Sequence, residues 1–276
     1  MDHTEGRVAG ADGVSLYWQG WLPDGAVRGL LLICHGLGEH SGRYTTVVDT
    51  LVPDGWAVYG LDHRGHGRST GRRAHVRRYA HFLADYDTFR RVVVARHPDL
   101  RPFLLGHSMG GQIALAYALD HPDDLAGLVL SAPALSAGPV PRGARPVLTL
   151  LGRAAPTLRR AVVDLAGISK DDDVVTAYRT DTLVHQGHPT LGLSLALVDQ
   201  MALLPIRARE LRLPLLLQHG TADRICSPDG SRALGASVGT ADLTVRWYDG
   251  LWHEIFHEPE RDQPLADLRD WLDARR

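Results

Sequence analysis

The sequence predicts an α/β fold, a mostly parallel central sheet with helices on both faces and a helical cap inserted before one of the last strands. Two patterns predict it. Short unbroken apolar runs alternate with longer stretches of helical periodicity, as a parallel sheet buried on both sides requires. A proline-punctuated apolar segment interrupts that alternation once. A length of 276 residues, 44% hydrophobic and 22% charged, suffices for a large core and is unlike a disordered chain.

Taken in order, Val14 to Trp21 alternates apolar and polar residues and reads as an edge strand, whereas Gly29 to Cys34 is unbroken and reads as a central one. A helix from Tyr44 to Val52 leads to the apolar run Trp56 to Leu61, and the helical stretch His81 to Arg96 leads to Pro102 to Gly106. Further strands are expected at Leu125 to Leu130, Leu213 to Leu217 and Leu243 to Trp247, before a C-terminal helix ending at Arg276. Between Leu130 and Leu213, Pro139, Pro141, Pro146, Pro156, Pro189 and Pro205 separate short apolar helical stretches. The chain therefore divides into a core over 1–133, a cap over 134–205 and a return to the core over 206–276. Leu191 to Leu204 is apolar on more than one face, which suits a helix that packs on the core and also lines a greasy cavity or touches a membrane.

Composition narrows the function. Thirty basic against 32 acidic side chains leave a net charge of -2, with no overall attraction for phosphate backbones, so nucleic acid is not an expected partner. Cys34 and Cys226 lie far apart with no C-x-x-C spacing, which indicates neither a disulfide framework nor a cysteine zinc site. The N-terminus lacks the apolar core of a secretory signal and no run is long enough to span a bilayer; the expected location is cytoplasmic or peripheral to a membrane.

Gly106-His107-Ser108-Met109-Gly110 is a G-x-S-x-G between an apolar strand and a helical stretch, Gly111 to Leu119. A sharp strand-to-helix turn strains the serine backbone and leaves no room for flanking side chains, hence the glycines. It lifts the Ser108 hydroxyl above the sheet, where the helix N-terminus offers backbone N–H groups, that of Met109 included, to an oxyanion. Such a nucleophile needs a base, and the base needs a carboxylate to fix its tautomer, in the order serine, acid, histidine. Asp223 follows the strand Leu213 to Leu217, and His253 follows Leu243 to Trp247. Asp249 is a rival acid better placed to cap a turn, and His107 and His219 read as core histidines. The assignment is Ser108 as nucleophile, His253 as general base and acid, and Asp223 as orienting carboxylate. His35-Gly36-Leu37-Gly38, after the first central strand, has the small residues of an oxyanion loop, with the N–H of Leu37 joining that of Met109.

His253-Glu254-Ile255-Phe256-His257 also matches H-E-x-x-H, the zinc protease signature. A zinc site needs both histidines on one helical face and a further ligand from downstream, and only a short tail follows. With 15 histidines in the chain a chance match is unsurprising. No metal is expected, and Glu254 reads as a solvated or loop-bonding residue.

His35-Gly-Leu-Gly-Glu-His-Ser-Gly-Arg-Tyr44, Asp62-His-Arg-Gly-His-Gly-Arg-Ser69, Gly106-His-Ser-Met-Gly-Gly111, His219-Gly-Thr-Ala-Asp223 and Gly250-Leu-Trp-His253 together resemble the monoacylglycerol lipases of the α/β-hydrolase superfamily, the bacterial members above all. The Gly-Glu-His-Ser-Gly-Arg-Tyr run is more specific than G-x-S-x-G, and the cap stretches Ile168 to Asp171 and Tyr178 to His185 share the likeness. The resemblance implies hydrolysis of a monoacylglycerol to fatty acid and glycerol, without metal or organic cofactor. It also implies that Glu39 and Arg43 lie near the head group, against the plain alternative of an i, i+4 ion pair. The family's histidine three positions after the catalytic one is Phe256 here. Cys226 matches a position near the site, either an oxidant sensor or a buried inert thiol. Asp62 to Ser69 reads as a structural loop, with Asp62 and Arg64 as tying partners. A lysophospholipase, a broad esterase and a non-catalytic binding protein of the same fold are the alternatives.

Overall fold

The computed structural model describes residues 1–136, 155–159 and 167–276. Among them, β1 (Asp2–Ala9), β2 (Ser15–Leu22), β3 (Gly29–Cys34), β4 (Trp56–Leu61), β5 (Phe103–His107), β6 (Gly127–Ser131), β7 (Leu215–Gly220) and β8 (Leu243–Tyr248) form one sheet. Its order is β1-β2-β4-β3-β5-β6-β7-β8. The pairings along β4-β3-β5-β6-β7-β8 are all parallel, and those of β2 with β1 and with β4 are antiparallel, so β2 alone runs against the other strands.

Alternate residues of a strand face opposite sides, so an unbroken apolar run feeds two cores. In β3, Leu30, Leu32 and Cys34 pack with Phe82, Tyr86 and Phe89 of α2 (Ala80–Val94) and with Ile113 and Tyr117 of α3 (Met109–Asp120). Leu31 and Ile33 enter the opposite core with Val47 and Leu51 of α1 (Thr45–Leu51). The helices covering the sheet are therefore dictated by the same residues that make its strands.

One expectation is corrected. β2 is not an edge strand, because β1 pairs along its whole length, from Asp2 opposite Leu22 to Ala9 opposite Ser15. The true edge carries Asp2, His3, Glu5 and Arg7, and such charged edges resist pairing with another chain. That polarity hides β1 from any search for apolar runs.

Between β6 and β7 the chain leaves the sheet. The described parts are α4 (Asp172–Thr180) and α5 (Leu191–Arg207) with their connections; Pro139, Pro141 and Pro146 lie outside the described residues. Leu193, Leu197 and Leu204 of α5 join the core cluster of α3, where Gln112 donates from Nε2 to the Leu197 carbonyl at 3.1 Å. Leu203 and Ile206 stand on the outside, 43% and 73% exposed. After β7 follow α6 (Pro228–Ser237), β8 and finally α7 (Asp262–Asp273), whose Leu268 and Trp271 complete the second core.

Candidate active site

Ser108 lies at the turn between β5 and α3 with φ 54° and ψ −120°, a strained conformation for a residue with a side chain. The neighbouring glycines are forced by space. A Cβ on Gly106 would come within 2.5 Å of the Gly110 carbonyl oxygen, and one on Gly110 would collide with the backbone of Cys34. Ser108 is 8% exposed and opens into a cavity of about 290 Å³. His253 shares that cavity, as do Leu37, Glu39, Met109, Cys226 and Glu254, with Ile168, Tyr178, Leu197, Val198, Met201 and Ile225 forming greasy walls.

Asp223 sits beyond β7 and His253 beyond β8, and His253 Nδ1 meets Asp223 Oδ2 at 2.7 Å. Asp223 is buried yet well supplied with donors. Its Oδ1 accepts from the N–H groups of Ile225 at 2.7 Å and Cys226 at 2.9 Å, while Oδ2 also meets His219 Nε2 at 3.1 Å. Burial would raise its carboxyl, but His253 and His219 outweigh burial and hold it well below the usual carboxylate range. His253 shows the reciprocal effect: burial disfavours its cation, and the charges of Asp223, Glu254 and Glu39 overcome that, leaving its pKa above the ordinary histidine value. His107, its ring centroid 4.7 Å from that of His253, is pushed down to about 4 by burial and by the His253 charge, so it stays neutral.

The loop after β3 is held from several sides. His35 Nδ1 donates to the Gly36 carbonyl at 2.8 Å, and its Nε2 accepts from the His63 N–H at 2.9 Å, which fixes one neutral tautomer. Because the Gly36–Leu37 peptide bond is trans, the Leu37 N–H across it faces away from the His35 ring. Gly36 lies against the nucleophile, and a Cβ there would stand 3.3 Å from Ser108 Cβ. Met109 is the first residue of α3, so its N–H has no acceptor within the helix. α4 and the chain beyond it brace the loop from above: His185 N–H donates to the Gly38 carbonyl at 2.7 Å, and His40 Nε2 meets Asp181 Oδ2 at 2.9 Å.

Glu39 and Arg43 do form the i, i+4 pair, at 3.0 Å, but in a buried setting with more partners. Glu39 Oε1 accepts from the Gly36 N–H at 2.5 Å and from the Tyr44 hydroxyl at 2.8 Å. Arg43 donates a two-pronged fork to Glu254, at 2.6 and 2.7 Å, and lies over the Tyr178 ring at 4.6 Å. Glu254 is thus not solvated; it is 5% exposed, and its partner is 211 residues away in sequence, beyond the reach of local pattern reading. His219 likewise touches the acid, a contact the sequence did not announce.

The remaining candidates fall outside this constellation. Asp249 is exposed and accepts from the Thr221 hydroxyl at 3.0 Å. The H-E-x-x-H stretch is not helical, and while His253 faces Asp223, His257 Nε2 donates to the Arg43 carbonyl at 2.7 Å, so the two rings do not present a metal-binding face. Asp62 accepts from Ser41 and Arg68, and Arg64 forks onto Asp85, both tying loops. Cys226 is 5% exposed with Sγ 3.8 Å from Ser108 Oγ, and burial pushes its thiol up, so it is protonated.

A sequence-family profile described as Hydrolase_4, serine aminopeptidase S33, matches residues 25–260. Over 273 residues the chain is 40% identical to a monoacylglycerol lipase of Mycolicibacterium smegmatis, covering 98% of this chain and 96% of that one. The chain belongs to the monoacylglycerol lipase family. The resemblance carried by its scattered motifs is therefore borne out over nearly the full length. A mouse monoglyceride lipase is 32% identical over 98% of this chain and 90% of its own. The crystal structure of Paleococcus ferrophilus monoacylglycerol lipase superposes with a TM-score of 0.85 at 34% identity, over 95% of this chain and 99% of that one. The fold is that of the α/β-hydrolases, and the protein is a serine hydrolase of this family.

Proposed function

We propose that the protein cleaves monoacylglycerols to fatty acid and glycerol through an acyl-enzyme on Ser108. The observation that carries the reading is one greasy cavity that holds Ser108 beside the His253–Asp223 pair, 2.7 Å apart. His253, in its neutral form and oriented by Asp223, takes the Ser108 proton as Oγ attacks the ester carbonyl. The N–H groups of Leu37 and Met109 receive the oxyanion. Collapse expels glycerol, which carries away the proton from His253; water then attacks the acyl-enzyme, activated by the same imidazole. Leu197, Val198 and Met201 suit the acyl chain, while Glu39 stands at the polar end with Arg43 behind it. No step calls for a metal or organic cofactor.

The segment 134–205 serves as the cap in this reading, and the exposed Leu203 and Ile206 of α5 provide a peripheral contact with the lipid surface that delivers substrate.

Glycerol release from a long-chain monoacylglycerol in excess chelator, with and without Ser108→Ala, tests the reading. Chelator-resistant release that falls at least a thousandfold in the variant is expected. Lysophospholipid, diacylglycerol and an aminoacyl anilide run in parallel. Turnover of lysophospholipid alone would keep the serine chemistry and reject the head-group assignment. Turnover of no ester would favour a binding protein.

A further inference from the structure

A buried charge cluster lies behind His253, and one of its members, Glu254, has no part in the scheme above. Glu39, Arg43 and Glu254 are all buried, and Arg43 bridges the two carboxylates at 3.0 and 2.6 Å. Two elements are joined by it: the loop after β3, whose Gly36 N–H is held by Glu39, and the loop after β8, where Glu254 directly follows His253. Apolar side chains would serve the fold as well as three ions whose burial is costly. Their position against the histidine argues for a role in its chemistry.

Charge arithmetic supplies that role. Two carboxylates and one guanidinium leave a surplus of one negative charge in a water-poor setting. The groups facing His253 are Asp223 from the β7 loop, the neutral His107 ring from the end of β5, the neutral Cys226 thiol, Glu39 from the β3 loop, and Glu254 with Arg43 and His257 behind it. Among these, only the Glu39–Arg43–Glu254 cluster and Asp223 contribute fixed negative charge.

We propose that Glu254 is a positioning residue for His253: its fork onto Arg43 locks the histidine loop to the oxyanion loop, and its charge leaves the Glu39–Arg43–Glu254 cluster with the surplus that stabilises the imidazolium formed when Ser108 gives up its proton. This rests on the reading of Ser108 and His253 given above. Low local dielectric makes such a charge effective at several ångströms.

The test is the pH dependence of kcat/KM for a soluble short-chain p-nitrophenyl ester. Glu254→Gln removes the surplus and moves the acid limb down by about one pH unit, with kcat reduced. The double variant Arg43→Met with Glu254→Met removes one charge of each sign, retains Glu39, and keeps the limb within a few tenths of a unit of wild type. A purely structural role would disturb both variants alike. Equal shifts in the two, or an unmoved limb in Glu254→Gln, overturn the proposal. Should Glu254→Gln fail to fold by thermal melting, Glu39→Gln removes the same charge while keeping the fork, and an unmoved limb there overturns it equally. A Ser108→Ala control separates the levels: full turnover in that variant rejects the underlying site reading, whereas loss of turnover with an unmoved limb rejects this inference alone.

Discussion

At the scale of single residues, the chemistry depends on one imidazole being neutral when it meets the serine and charged just after. Burial alone would keep His253 neutral far into acid, but Asp223, Glu254 and Glu39 reverse that and raise its pKa above the ordinary value. The expected acid limb of kcat/KM therefore has its midpoint above about 6.5, not below it. A pH profile on a soluble ester checks this, and a rate that stays flat down to pH 6 would contradict it. Asp223→Asn should lower kcat by several orders of magnitude, because the amide cannot fix the same tautomer or balance the imidazolium; a loss below tenfold would move the acid role elsewhere. Ser108, Asp223 and His253 are legible as candidates in the sequence because each stands at the end of an apolar run, a place that strand periodicity reveals. Glu254 is not legible in the same way. Its meaning depends on Arg43, and that pairing exists only once β3 and β8 lie in one sheet.

At the scale of elements, the unbroken apolar runs are readable because burial on both faces demands them, and β3 to β7 all fall on such runs or within a few residues of them, while β8, at the edge, mixes Thr244 and Arg246 among its apolar residues. β1 escapes because an edge strand needs only one apolar face and here carries charge on the other. α6 escapes for a related reason: it is short and contributes little beyond Leu234, its start marked only by the Ser227 cap and Pro228. α5 is the element whose pattern carries functional content. A helix needed only for packing would bury its leucines and turn polar residues outward. α5 buries Leu193, Leu197 and Leu204 yet leaves Leu203 and Ile206 in contact with solvent. Among the described residues, the span Leu191–Glu210 is long and apolar enough to cross a membrane, but its buried leucines belong to the core, which argues against a traverse and leaves its exposed residues for the proposed surface contact. Leu203→Glu with Ile206→Glu should reduce co-sedimentation with phosphatidylcholine liposomes at least severalfold while leaving turnover of a soluble ester near wild type. Unchanged co-sedimentation would remove this face from the membrane contact.

At the scale of the whole molecule, the site stands on a floor of histidines that must remain uncharged. His35, His63 and His66 are fully buried with ring centroids 4.3, 5.5 and 6.4 Å apart, and His107 lies against Gly36, where a Cβ would stand 3.4 Å from its ring. Burial lowers all four, joined at His63 and His66 by repulsion from the neighbouring rings and at His107 by the charge of His253, which takes His66 to about 3 and His107 to about 4. In the unfolded chain each would take up a proton near pH 6.5, so the unfolded state binds more protons than the folded one throughout the interval below that value. Stability must then fall as pH falls from about 6.5, and His66 and His107 contribute about 2 kcal/mol each by pH 5. The depressed carboxylates Asp223, Glu39 and Glu254 act in the same direction, but only below about pH 4.5, where the unfolded carboxyls begin to protonate. His253 acts oppositely, because its raised pKa gives stability that is full below about 6.5 and is lost as pH rises through the folded value. One such group does not offset four. Urea unfolding should therefore show a free energy that drops by several kcal/mol between pH 7 and pH 5, and His66→Gln should flatten that slope by nearly one proton. A free energy independent of pH over this range would mean that the floor histidines accept protons in place. The same interval contains the expected loss of catalysis as the proposed base His253 protonates, so near-ultraviolet circular dichroism must accompany the rate. Loss by cooperative unfolding depends steeply on denaturant while loss by titration of His253 does not, and a small addition of urea at pH 6 tells the two apart.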